Sequence, residues 1–187
     1  PAMVYKDLPQ ERIDAIRLQS HLVGPRPWDP YSKAKYLHYL STCEHLTLNQ
    51  IEDFCGGKKA EIRDYIAAYR DMEEHYRPLL ESDDEFDPSR FSGFVELQRP
   101  RVLNATIKAG YSKTDFARWI NEPKKLSPLN TVRKLPAILA NDEAKQVFLK
   151  GTASEAIKVL DRPLADATIE SASLGQLADA IAKRISN

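Results

Sequence analysis

Lys58, Lys59 and Arg63 are the residues whose type and spacing offer the most specific chemistry in this chain. Lys59 and Arg63 are one helical turn apart. All three cations fall at the start of a segment, Lys58 onward, in which Ile62, Tyr65, Ile66 and Tyr69 recur at helical spacing. A guanidinium at the start of a helix can pair bidentately with guanine in a major groove. A helix N-terminus also favours phosphate through its free N–H groups and its dipole. Just upstream, Thr47 and Gln50 have capping-box spacing and are expected to touch phosphates along with Lys58. Lys59 and Arg63 are the expected contacts at or near the bases. The same cations also suit a solvated helix face paired with Glu61 and Asp64.

A second basic region spans Arg99–Lys134. It holds Arg99, Arg101, Lys108, Lys113, Arg118, Lys124, Lys125, Arg133 and Lys134 against only Asp115 and Glu122. Residues 111–135 read as a candidate second helix-turn-helix, with Tyr111, Phe116, Trp119 and Ile120 inside. Lys124, Lys125, Arg133 and Lys134 would then track phosphates, each contact steepening the salt dependence of binding.

Nothing in the sequence spells out catalysis. There is no Gly-rich phosphate loop, nucleophile elbow or HExxH. His38, Cys43 and His45 make a weak zinc pattern, and Asp83, Asp84, Glu85 and Asp87 lack EF-hand spacing. The reading is therefore a binding protein, not an enzyme, with no cofactor and no metal.

These residues must be positioned by helices. The 187 residues carry 27 basic and 27 acidic side chains, so any electrostatic footprint depends on uneven distribution. Cys43 and Cys55 form no paired motif, so a cytoplasmic setting is expected, nucleoid-associated if the chain binds DNA. No apolar run is long enough to span a membrane. Pro1-Ala2-Met3 reads as a cloning remnant, which would make the chain a piece of a longer protein.

Strand-like alternation never persists, so the fold class is all-α: a helical domain containing a helix-turn-helix, with a C-terminal helical extension. A helix is expected over 9–21, then a Pro-rich link through Trp28 and Tyr31, then a segment capped by Ser32 with Ala34, Leu37 and Leu40 inward. The central pair follows: a short helix with Leu48, Ile51 and Cys55 on one face, a turn at Gly56-Gly57, and the helix from Lys58 to about Tyr76. Glu81–Asp87 holds five acids and no base, so it reads as a linker at 81–87 between a domain at 9–80 and an extension at 88–187. In the extension, Val102, Leu103 and Ile107 define one helix face, Ser112 and Asp115 cap another helix, and Pro136 disturbs a third. The last amphipathic helix is Leu174–Ile185.

The stretch LTLNQIEDFCGGKKAEIRDYI resembles the helix-turn-helix of ParB-type partition proteins. Thr47, Ile51, Cys55, Gly56 and Ile62 stand at the positions that family fills with Thr, small or apolar residues and Gly. Upstream, Ile16–Leu22, Gly24–Tyr31 and Ser32–Leu40 stand where the family has a helix, a Pro-containing link and a short helix. The resemblance covers residues 11–76. It implies double-stranded DNA binding in partition, transcriptional regulation or a related plasmid or phage role. Helices downstream of the motif in that family often read DNA or self-associate, so a homodimer or a protein partner through the C-terminal helices is also implied. Glu52 departs from the pattern, standing where the family prefers a small residue at the helix crossing, and Lys58 replaces the usual Ser. The family's nucleotide-binding motif is not among these residues, so no CTP-binding or nuclease role is carried over. The alternative is a helical protein-interaction module docking through the terminal helix; a nuclease with a dispersed site is the least supported.

Overall fold

The structure, a computed structural model, describes residues 7–10, 12–13, 16, 28–55 and 58–161. Every regular element among them is helical, in keeping with an all-α chain. The turn at Gly56-Gly57, the terminal helix at Leu174–Ile185 and most of the helix expected over 9–21 lie outside the described residues.

Helix α1 spans Pro30–Thr42. Its cap is Asp29, whose carboxylate accepts from the Ser32 amide at 3.0 Å, and Pro30 occupies the first turn. The helix therefore begins earlier than a Ser32 cap would allow, because proline's fixed φ suits the first helical position. Helix α2 covers Leu48–Cys55 and α3 covers Lys59–Asp71. Leu37 and Leu40 of α1, Ile51 of α2 and Ile62 of α3 meet in a small buried cluster, flanked by Leu46, Leu48, Tyr65 and Ile66. That cluster makes α1, α2 and α3 one packed unit.

Beyond α3 the chain stays helical through a π turn at Met72–Tyr76 and a 3-10 turn at Arg77–Leu79. The acidic stretch does not divide two cores. Glu81–Glu85 is exposed, but Phe86 packs against Tyr31 at 5.1 Å and Tyr76 at 5.7 Å between ring centroids. Arg77 stacks its guanidinium 4.1 Å from the Phe86 ring centre and donates to Asp83 at 2.7 Å. It also donates to Glu73, which accepts the Tyr31 hydroxyl proton at 2.6 Å. One large apolar core runs from Tyr31, Ala34 and Met72 on one side of the acids to Phe94, Trp119, Phe148 and Ala156 on the other. Among the described residues, both sides of the stretch expected as a linker at 81–87 contribute to this one core. The acids solvate an edge while a single aromatic, Phe86, ties the loop to the interior.

The second half continues with α4 (Phe91–Leu97), α5 (Pro100–Lys108), α6 (Lys113–Asn121), a 3-10 segment (Leu129–Lys134), α7 (Leu135–Ala140), α8 (Asp142–Lys150) and α9 (Ala153–Leu160). Helix α4 packs on α3, and α5 packs on α7. Gly93 lets α4 approach α6 closely: a Cβ there would lie 2.6 Å from Ile120 Cδ1. The Ser112–Asp115 capping box forms as expected, and Thr152 with Glu155 forms another ahead of α9. Two local expectations change. Ile107 is 58 % exposed, and Thr106 is buried instead, its hydroxyl donating to the Val102 carbonyl. Pro136 does not disturb a helix but sits in the first turn of α7, where the missing N–H costs nothing.

Candidate nucleic-acid interface

The N-terminal end of α3 is fixed from beneath by Ile62 in the small cluster. Lys58 is the extended residue ahead of the helix, and Lys58, Lys59 and Arg63 are all exposed. At 3.6 residues per turn, Arg70 falls on the same face as Lys59 and Arg63, and it too is exposed. Nearby acids temper this stripe. Arg63 pairs with Asp64 at 2.9 Å and Arg70 approaches Glu74 at 3.9 Å. Such exposed pairs are weak and exchange readily.

Glu52 takes a more consequential position. Half-buried on α2, it accepts a hydrogen bond from the Lys59 amide at 3.1 Å. An acid at this position therefore has a structural use. The carboxylate caps the free N–H end of α3 and occupies a position that an anion would favour. Thr47 and Gln50 close their capping box: Gln50 Oε1 accepts from the Thr47 amide at 2.9 Å, and Thr47 Oγ1 accepts from the Gln50 amide at 3.3 Å. Both remain exposed.

The second basic region is not a second helix-turn-helix. Residues 111–135 contain α6, then a turn and a 3-10 segment in place of another α-helix. Its cations divide. Lys124 and Lys134 are exposed, Lys124 with a left-handed φ of 66°. Lys125 is turned inward, 7 % exposed. Its ammonium donates to the Leu149 carbonyl at 3.0 Å, pairs with Glu122 at 3.0 Å and lies over the Phe148 ring. So placed, Lys125 ties the loop to α8 and presents no charge to a phosphate. Lys113 is also structural, 2.7 Å from the buried carboxylate of Asp71. Arg133 donates two hydrogen bonds to Glu96, at 2.8 and 2.7 Å, and Arg99 pairs with the same carboxylate. The bonds from Arg133 hold the Glu96 carboxyl below its ordinary value, against the opposing effect of burial, and Glu96 raises Arg133 in return.

Asp71, Glu73 and Glu96 are the residues that sequence reasoning missed. Glu96 lies inside the apolar run FVEL, where an acid signals a partnered carboxylate, whereas Asp71 and Glu73 stand in the mixed stretch RDMEE, which gives no such signal. Asp71, Glu74 and His75 bring their ligand atoms within 4.8 Å of one another, but the Lys113 ammonium already neutralises Asp71. No helix among the described residues is long and apolar enough to cross a membrane. Compared with family models, curated proteins and solved structures, the chain has no match in any of the three.

Proposed function

We propose that this chain binds double-stranded DNA through the N-terminal half of α3, as the helix-turn-helix of a ParB-like protein does. The observation that carries this reading is the exposure of Lys58, Lys59 and Arg63 together at the start of a helix anchored by Leu37, Leu40, Ile51 and Ile62. Lys59 and Arg63 face the bases, and Lys58, Thr47 and Gln50 meet the backbone and set register. The function is recognition without chemistry, in a cytoplasmic, nucleoid-associated setting. A dimer reading two half-sites would raise affinity.

The test is fluorescence anisotropy of the chain with a random duplex across a salt series. Affinity falling steeply with salt, and collapsing in Lys59→Glu/Arg63→Glu, supports the reading. Absence of duplex binding at low salt, followed by failure to enrich any sequence in a selection, overturns it and favours the protein-interaction module.

A further inference from the structure

A second charged surface lies away from the start of α3. Glu96 is 13 % exposed and holds Arg99 and Arg133, which are themselves 55 % and 57 % exposed. Two guanidiniums from segments distant in sequence are thereby brought together at the surface. Arg101 and Lys134 follow closely along the same two segments. Both are exposed, and neither forms an ion pair among the described residues. Two cations are thus held on one carboxylate, and two more stand one and two residues beyond them on segments that lead into the packed helices α5 and α7. Helix α5 opens with Pro100 and has no acid in its first turn, which leaves its positive end uncompensated.

We infer that Arg99, Arg101, Arg133 and Lys134 form a second contact surface for the phosphate backbone of a duplex. This rests on the reading of the chain as a DNA binder. The chemistry selects phosphate because planar guanidinium forks match its oxygens bidentately, and because a polyanion rewards several cations held in one place. Since α4 carries Glu96 and packs directly on α3, the new surface and the α3 stripe are parts of one body. The contact would supply affinity and register, not base reading.

The test compares three full-length chains by anisotropy with one random duplex over a salt series: wild type, Arg101→Glu/Lys134→Glu, and Lys59→Glu/Arg63→Glu. Arg101 lies in the first turn of α5, and Lys134 immediately precedes α7. Acids at these helix starts complement the macrodipole, so the fold is expected to survive; thermal melting followed by circular dichroism checks this. The expected result for Arg101→Glu/Lys134→Glu is at least roughly tenfold weaker binding at low salt, with the slope of log affinity against log salt reduced by about 2. Unchanged affinity and slope in that variant, with loss in Lys59→Glu/Arg63→Glu, overturn this inference and leave the α3 reading standing. Loss in Arg101→Glu/Lys134→Glu alone supports the inference and moves the footprint off α3. No change in either variant overturns both.

Discussion

Lys113, at the start of α6, sets its ammonium 2.7 Å from the carboxylate of Asp71 at the end of α3. Asp71 is 1 % exposed and also accepts from Gln98 at 2.9 Å. The pair joins the two halves of the chain across the acidic stretch, and the aromatic core beneath it does the same. Removing one partner of a buried ion pair leaves the other uncompensated. Lys113 can swing toward solvent, which softens the loss. Asp71→Ala is therefore expected to cost about 3 kcal/mol in urea unfolding. Unfolding should also remain a single transition. Trp28 sits edge-on to Tyr36 near α1, and Trp119 packs against Phe148 near the far end of the core. Trp28→Phe and Trp119→Phe variants, each with one reporter left, should give coincident midpoints after correction for their own stability. Two separated midpoints would restore the acidic stretch as a domain boundary.

The helices were legible in the sequence where periodicity and caps agreed: Thr47 with Gln50 and Ser112 with Asp115 both follow from local chemistry. The core shared across the acidic stretch was not. Five acids in seven residues outweigh Phe86 in the pattern, and the partners that draw Phe86 inward, Tyr31 and Tyr76, lie 55 and 10 residues before it. The candidate interface was legible only in part. Local charge patterning predicts that Lys58, Lys59 and Arg63 face solvent. It does not distinguish Lys124 from Lys125, because the burial of Lys125 depends on the Leu149 carbonyl, 24 residues away.

Glu96 makes stability fall in acid. Its carboxyl is held below its ordinary 4.5 chiefly by hydrogen bonds from Arg133. A carboxyl lowered by folding contributes stability that is fully present above its unfolded value and is lost as pH falls through its folded value. The contribution should therefore persist at neutral pH and fade below about pH 4.5. Glu96→Gln removes that dependence. Urea midpoints measured from pH 7 down to 3 should fall less steeply for Glu96→Gln than for wild type. Parallel curves would show that the Arg133 pair contributes nothing measurable.

The inward position of Lys125 separates structure from binding at two adjacent lysines. Lys125→Ala leaves the Leu149 carbonyl without its donor and removes the ammonium over Phe148. The expected loss is about 2 kcal/mol of stability. Lys124→Gln, exposed and lacking an ion pair among the described residues, should leave the urea midpoint unchanged. Equal midpoints for both variants would mean that Lys125 is solvated in solution and available to a phosphate after all.

Glu52 bears most directly on the proposed binding of DNA at α3. Its carboxylate accepts the Lys59 amide proton, so the end of the helix that attracts phosphate already holds a negative charge. A duplex approaching Lys58, Lys59 and Arg63 meets that charge as well. Glu52→Gln keeps a carbonyl acceptor for the Lys59 amide while removing the repulsion. Random-duplex affinity at low salt should rise roughly threefold to tenfold, with little change in stability. Glu52→Ala, which also frees the amide, should bind at least as tightly provided the helix start holds. An affinity unchanged in both variants would mean that phosphate does not approach the start of α3, and the DNA would have to lie elsewhere on the molecule. Weaker binding in Glu52→Gln would instead make the carboxylate a determinant of DNA geometry, through its hold on the position of Lys59.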